Sequence, residues 1–326
     1  MNCNICLKAL KKTDGPPFHK VCIKRLFPGL KGSPRLPIKE SEFGVEARKV
    51  LRSKRFSISG VQQKIGLVII DGQLELAAEG SSYIAKPTPR DYPRLTEVEH
   101  LTMELCRLHD PSVAACGLVP YRTGVANCYV TRRYDRDVTN GDKRHQEDLQ
   151  GAMGIVNTDE DAKYGLSYQA CLDFLMQHFG PRPAQHLLHR LILMYYLGNS
   201  DFHLKNISIF PHEGGELTPI YDAINTDVYD LPDFLALDLF ADDREYDHLY
   251  GYPLGYDFLV LCTEVGLEYE AALSFIEALV GKHDKARKLI EHSMLPKKTK
   301  SLFAETLDRR LRALTTIDPA KTYRTE

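Results

Sequence analysis

The chain has 326 residues, 43% of them hydrophobic and 26% charged, which suits a folded globular protein and excludes a disordered or fibrous one. Its formal net charge is −2, so the whole molecule is not a generic polyanion binder, and no apolar run approaches the length of a membrane span. An N-terminus without an apolar signal core points to a cytoplasmic protein whose eight cysteines stay reduced.

The first 55 residues hold fourteen Lys or Arg against four Asp or Glu, so the remainder is net acidic. Such asymmetry marks either a contact surface for nucleic acid or an acidic partner, or a solvated basic face; the solvated face is the favoured reading. Within this stretch Cys3-x2-Cys6-x12-His19-x2-Cys22 has the spacing of a four-ligand structural Zn2+ knuckle, the alternative being a tail with incidental thiols. Cys106, Cys116, Cys128, Cys171 and Cys262 are scattered and read as small core residues. Pro28, Gly29, Gly32, Pro34 and Pro37 read as a linker.

A small-residue loop, Ser57-Ile58-Ser59-Gly60, then leads into a strand, the turn Asp71-Gly72 and a second strand. The loop is neither a Walker A nor a G-x-G-x-x-G sequence, although backbone N–H groups of a Ser/Gly loop can line a phosphate. Tyr83-Ile84-Ala85-Lys86-Pro87 has the strand-then-lysine form in which the Lys neutralises nucleotide phosphates; a solvated Lys at a strand end is the alternative. A helix follows over about 96–108, with Glu97 and Glu99 in its first turn. Glu99 is placed to orient Lys86, or these residues simply suit a helix N-terminus. Tyr129-Val130-Thr131-Arg132-Arg133-Tyr134-Asp135-Arg136 reads as a strand with a charged exit, either a hinge offering backbone groups to adenine or an edge strand with solvated arginines.

Beyond about residue 146 the pattern turns helical, over Tyr168–Phe179, 183–197 and several amphipathic segments within 254–314. The run through Leu187, Leu188, Leu191, Ile192, Met194, Tyr195 and Leu197 stops at Gly198-Asn199, a helix-ending pair. Ser200-Asp201-Phe202-His203-Leu204-Lys205-Asn206 follows, then a strand over 207–210, a turn over 211–215 and Tyr221-Asp222. Asp201 and Asn206 have the separation of the base and the magnesium-holding Asn of phosphoryl-transfer loops, and Asp222 is placed to complete the metal site. A capping turn is the structural alternative for the isolated Gly-Asn-Ser-Asp. A strand-rich first half and a helix-rich second half predict an α+β, two-lobed protein-kinase-like fold. The expected division is a Cys/His knuckle over 1–30, a strand-rich N-lobe over 31–135 and a helical C-lobe over 136–326.

Four blocks carry a family resemblance: Ser57-Ile58-Ser59-Gly60-Val61-Gln62-Gln63-Lys64; Tyr83-Ile84-Ala85-Lys86-Pro87; Arg133-Tyr134-Asp135-Arg136 with His145-Gln146-Glu147-Asp148; and 198–206 with Tyr221-Asp222. With Leu235-Ala236-Leu237, they make the chain from residue 57 onward resemble the HipA-type serine/threonine kinases, toxin components of bacterial toxin–antitoxin systems. The Ser-Ile-Ser loop and the missing long N-terminal subdomain resemble the short HipT branch most. The resemblance implies ATP and Mg2+ as cofactors, with Asp201 as catalytic base and Asn206 and Asp222 as Mg2+ ligands. It implies Lys86 on the phosphates, Arg133 and Tyr134 at the adenine hinge and Asp135 near the ribose. His203 would sit near the γ-phosphate or pack the loop. Ser57 and Ser59, beside Gly60, would form an autophosphorylated loop near the nucleotide, where a phosphoserine would repel the triphosphate or draw the loop to an arginine cluster. It further implies a helix-turn-helix antitoxin as partner, indirect DNA contact and an aminoacyl-tRNA synthetase as substrate. Two features depart from the family's pattern: the cysteine knuckle is not essential to the kinase fold, and Arg132 stands where an acidic residue is frequent. Two other function classes fit less of the sequence. One is a non-catalytic module gripping nucleic acid or antitoxin; the other is a lipid or small-molecule kinase.

Overall fold

The computed structural model describes the chain except residues 13, 16, 54–62, 138–141, 156–159, 232, 243–249 and 319–326. It divides into two compact units: Met1–Glu104 with Val113–Arg144 and Glu291–Leu295, and Leu105–Ser112 with His145–Ile290 and Pro296–Glu326.

The first unit is built on a five-stranded antiparallel sheet of β1 (Ile65–Ile70), β2 (Gln73–Leu76), β3 (Tyr83–Lys86), β4 (Cys116–Pro120) and β5 (Asn127–Arg132), in the order β2-β1-β3-β5-β4. Asp71 and Gly72, both with positive φ, close the predicted turn between β1 and β2. The central strand β3 pairs Ala85 with Ile65 on one side and Lys86 with Tyr129 on the other. Because side chains alternate along a strand, Tyr83 and Ala85 enter one core while Lys86 turns to the opposite face. That core also takes Cys3, Ile5, Phe18, Cys22, Leu26 and Phe27 from the N-terminal segment, which carries α1 (Lys20–Leu26). The Pro/Gly stretch over 28–37 differs from the expected linker. Leu36 and Ile38 are buried, and the N–H groups of Lys31 and Leu36 donate to the carbonyls of Gly72 and Pro120. Prolines there remove donors only at their own positions, leaving the residues between them able to bond and pack. Helix α2 (Phe43–Ser53) follows, and α3 (Leu95–His109) begins in this unit, one residue longer at each end than its sequence pattern suggests.

The second unit is mainly helical: α4 (Leu149–Ala152), α5 (Tyr168–Phe179), α6 (Pro181–Tyr196), α7 (Gly255–Glu264), α8 (Tyr269–His292, to Ile290 in this unit) and α9 (Lys297–Thr315). A small antiparallel sheet, β6 (Glu147–Asp148), β7 (Ser208–Phe210) and β8 (Glu216–Leu217), flanks the loop after α6. Pro181 starts α6 directly after Gly180, which has φ 87°, so one glycine ends α5 and a proline at the first helical position starts the next helix. The apolar positions of α6 are buried almost all round, which fixes the end of this helix firmly in the unit's core. The five scattered cysteines are buried, as their apolar surroundings suggest. Among the described residues no helix is long and apolar enough to cross a membrane.

Candidate functional site

Two clusters of functional side chains emerge, one in each unit. In the first, Lys86 Nζ donates to Glu99 Oε1 at 2.6 Å, with the two side chains 3% and 0% exposed. The Tyr129 ring, from the residue paired with Lys86 across the sheet, has its centroid 5.4 Å from the ammonium. A buried ammonium needs a partner of opposite charge, and the helix carboxylate supplies it. Cys128 closes the strand end by donating its thiol to the Lys86 carbonyl at 2.9 Å, and burial pushes that thiol far above its ordinary pKa, keeping it protonated. Lys86 is therefore not the solvated strand-end residue that was the alternative reading, and Glu99 does more than favour a helix start.

At the exit of β5, Arg133 and Asp135 form a two-bond clasp, Nε to Oδ1 at 2.9 Å and Nη2 to Oδ2 at 2.5 Å. Burial alone would raise the Asp135 carboxyl, but the Arg133 guanidinium overrides it and holds the pKa below the usual carboxylate range. The clasp fixes the chain's course on either side of Tyr134. The Arg133 N–H reaches the Ser82 carbonyl and the Asp135 carbonyl receives the Arg144 N–H, both at 2.9 Å. Arg133 and Asp135, for which the family resemblance implies contacts with adenine and ribose, are each other's partners here.

The second cluster starts at the end of α6. Gly198, at φ 68°, is the left-handed residue of a Schellman motif: its N–H donates to the Tyr195 carbonyl at 3.1 Å and the Asn199 N–H to the Met194 carbonyl at 2.9 Å. A Cβ at Gly198 would stand 2.6 Å from Thr306 Cγ2, so both conformation and space require glycine. Asn199 Oδ1 then accepts the Asp201 N–H at 3.0 Å, an Asx turn that aims the Asp201 side chain. Asn206 Nδ2 donates to the Asp201 carbonyl at 2.7 Å and to its Oδ2 at 3.3 Å. His203 Nε2 lies 3.5 Å from Asp201 Oδ1. The loop turns in a single 3-10 turn, Leu204–Asn206, and enters β7 as expected.

Burial, reinforced by the charge of Lys163, lowers the His203 pKa to about 4, so the ring is neutral at pH 7; its neighbour Asp222 opposes this only weakly. The ring meets Tyr164 edge-on at 5.4 Å. Asp222 itself has φ 52°, an uncommon left-handed conformation for an aspartate and a mark of a position set by its surroundings. Just before it, the Tyr221 hydroxyl donates to the Lys205 carbonyl at 2.8 Å, tying the Asp222 segment to the 3-10 turn. The structure thus brings His203 and Asn206 onto Asp201, with Asp222 near enough to His203 to act on its charge. The Asn206 amide nitrogen is committed to Asp201 through both contacts. Ser57, Ser59 and Gly60 lie outside the described residues.

Several supports were not apparent from sequence. Thr226 accepts the Ser200 N–H at 2.9 Å and donates its hydroxyl to the Gly198 carbonyl at 2.9 Å. The next residue, Asp227, is held by Arg310 at 3.0 Å, whose guanidinium is sandwiched between the rings of Tyr195 and Phe234 at 4.7 and 4.3 Å. The Tyr168 hydroxyl, kept protonated by complete burial, donates to the Phe202 carbonyl at 2.8 Å. Tyr168 starts a recognisable helix, but nothing local in the sequence marks its hydroxyl or Arg310 as support for a loop.

The HipA-like C-terminal domain family matches residues 56–287. A Haemophilus influenzae protein named "Putative kinase" is 31% identical over 340 residues, covering 96% of this chain and 97% of its own length. The Shewanella oneidensis "Serine/threonine-protein kinase toxin HipA" is 30% identical over 61% of this chain and 50% of its own. Among solved structures, a chain of the Shewanella oneidensis HipA, HipB and operator DNA complex superposes with a TM-score of 0.61 at 22% identity, covering 94% of this chain and 74% of that one. The chain belongs to the HipA-like C-terminal domain family and has the kinase-like α+β fold.

Proposed function

We propose that this member of the HipA-like C-terminal domain family is an ATP- and Mg2+-dependent serine/threonine protein kinase, the toxin of a toxin–antitoxin pair. The observation that carries the reading is the loop in which Asn206 and His203 meet Asp201, at the spacing of a base and a magnesium-holding Asn; Asn206 and Asp222 would hold the divalent cation. Mg2+ bound there would neutralise phosphate charge during transfer. Lys86, held ready by Glu99, contributes its positive charge to the phosphates. Asp201 orients a substrate hydroxyl and accepts its proton as that oxygen takes the γ-phosphoryl group from ATP, releasing ADP. His203, nearly buried with its Nε2 3.5 Å from Asp201 Oδ1, positions the Asp201 carboxylate. Backbone groups around Arg133 and Tyr134 meet adenine, with the Arg133–Asp135 clasp shaping that segment at the ribose end.

The finer reading rests on the family. Ser57 and Ser59 are the autophosphorylation loop beside Gly60, the HipT branch is the best fit, and the protein substrate is an aminoacyl-tRNA synthetase in the cytoplasm. The partner is an antitoxin, as the co-structure of the Shewanella HipA and HipB proteins suggests by analogy. We read 1–30, 31–135 and 136–326 as a Cys/His knuckle, a kinase N-lobe and a helical kinase C-lobe. Incubating the wild type and Asp201→Asn with γ-labelled ATP, a cell extract and lipid vesicles tests the reading. Label should enter protein serine or threonine, including Ser57 or Ser59, only with Asp201 intact. Label confined to lipid, or equal labelling by both proteins, would exclude a protein kinase using this base.

A further inference from the structure

The N-terminal cysteines do something the phosphoryl-transfer loop does not require. Cys3, Cys6 and Cys22 offer sulfurs, and His19 a ring nitrogen, that all lie within 4.8 Å of one another. Cys6 Sγ and Cys22 Sγ stand 3.4 and 3.8 Å from His19 Nδ1. The edges of a tetrahedral Zn2+ site with ordinary Zn–S and Zn–N bonds are about 3.6–3.8 Å long. The other ring nitrogen, Nε2, lies 3.1 Å from the Ala9 carbonyl, so its proton is placed there and the Nδ1 lone pair faces the sulfurs. The His19 backbone N–H also points at Cys3 Sγ, 3.4 Å away, a contact that favours a thiolate. His19 caps α1 and Cys22 lies in its first turn, which sets these two ligands on one helix face.

We propose that Cys3, Cys6, His19 and Cys22 bind one structural Zn2+ that clamps the N-terminal segment onto the edge of the sheet and onto α3, the helix that presents Glu99 to Lys86. The residues between the first two ligands make the connection. Asn4 covers the outer edge of β4, its carbonyl accepting the Leu118 N–H at 2.9 Å and its Nδ2 donating to the Leu118 carbonyl at 3.1 Å. Ile5 sits directly on Gly117 of β4, where a Cβ would come within 2.7 Å of Ile5 Cγ1. The Ile5 carbonyl is bonded to Nε2 of buried His100 at 2.9 Å. His100 is the residue after Glu99, so the zinc loop and the Lys86 carboxylate partner are joined through one turn of α3. Unlike the scattered buried cysteines, these three thiols converge with an oriented imidazole on one point, the Cys3His arrangement that suits Zn2+.

The consequence for phosphate binding rests on the kinase reading; the metal site does not, and the test keeps them apart. Full-length protein purified without chelator should contain one zinc per chain by elemental analysis. Replacing zinc by cobalt should give the intense visible bands and thiolate charge transfer of a tetrahedral Cys3His centre. Cys6→Ser should lower the zinc content, and His19→Cys should keep it while changing the cobalt spectrum. Hydrogen exchange, read without nucleotide, should rise at least about tenfold across the first turns of α3 when zinc is stripped, while α6 in the other unit stays protected. Zinc at well under one per chain with a Cys–Cys disulfide, or an octahedral cobalt spectrum, would overturn the site. Zinc loss that leaves α3 exchange unchanged would overturn the clamp. A chain that binds zinc but labels no protein would refute the kinase reading alone.

Discussion

The two functional clusters are held in place by opposite means. Lys86 and Glu99 are sealed from water and locate each other by charge, whereas Asp201 keeps 40% of its side chain exposed. Its position comes from backbone geometry: the Schellman motif at Gly198, the Asx turn from Asn199, the Thr226 hydroxyl and the Asn206 amide. In the first cluster the groups proposed for chemistry are also structural, and losing one leaves a buried charge without its partner. In the second the proposed base is relieved of structural duty by its neighbours. A carboxylate that must approach a hydroxyl and release a product has reason to be anchored through its main chain rather than its carboxyl oxygens.

The sharpest way to break this contrast is to remove one half of the dry pair. Lys86→Met should cost about 3–5 kcal/mol of stability, the usual penalty for orphaning one member of a buried ion pair. Pairing it with Glu99→Leu should recover most of that loss, because an apolar pair in the same space leaves no unpaired charge. Urea unfolding of the two singles and the double gives the coupling directly. Singles that cost under about 1 kcal/mol would show that the pair is solvated in solution.

The backbone anchor of the second cluster has its own test. Gly198→Ala forces a side chain into the left-handed region, about 1–2 kcal/mol, and toward the Thr306 methyl group, adding about 1–3 kcal/mol of overpacking. The variant should therefore lose about 2–5 kcal/mol, although position 198 carries no charge and touches no proposed substrate. Thr306→Ala, which makes room, should return the clash part and leave the conformational part. A full return would mean that the left-handed turn itself is not strained.

How much of this was legible in sequence follows from range. The Schellman glycine, the Asp-to-Asn spacing and the strand ending in Lys86 are local signals, each written within a few residues, and the structure realises all three. Glu99 was visible because it follows a recognisable helix start within a few residues. The anchors were not: Arg310 meets Asp227 across 83 positions, and in an amphipathic helix an arginine reads as solvated surface. The Arg133–Asp135 clasp was not visible either, because spacing alone does not show that two alternate residues of an extended segment will grip each other. Leu36 and Ile38 were hidden by the prolines around them, which announce turns and say nothing of the apolar residues between.

Not every buried ionisable group in the second unit is in the loop, and His109 separates unit-wide acid sensitivity from anything at Asp201. Burial, helped by the charge of Lys282, lowers its pKa from 6.5 to about 4. Between those values the unfolded chain binds a proton that the native ring refuses, so stability rises with pH across that window and is lost as pH falls through it. The contribution is at most about 3 kcal/mol, complete above pH 7 and gone below pH 4. His109→Phe, which can keep the edge contact with Tyr196, should flatten this part of the stability–pH curve. An unchanged slope between pH 4 and 6.5 would place the acid sensitivity elsewhere.

The smallest expected stability change belongs to the residue with the largest expected functional role. Asp201→Asn keeps the shape of the side chain. Its main-chain bonds to Asn199 and Asn206 do not involve the carboxylate, while the 3.3 Å Asn206 contact and the long His203 contact can readjust to an amide. Thermal or urea unfolding should therefore move by no more than about 0.5 kcal/mol, the range of a half-exposed substitution away from structural features. Phosphoryl transfer should fall about 10²–10⁴-fold, the share a positioned general base supplies. The pairing of these two numbers tests the contrast, since Lys86→Met must lose both stability and transfer while Asp201→Asn loses transfer alone. If Asp201→Asn instead unfolds as readily as Lys86→Met, the carboxylate is a structural tie, and the loop is held by charge like the pair on β3 and α3.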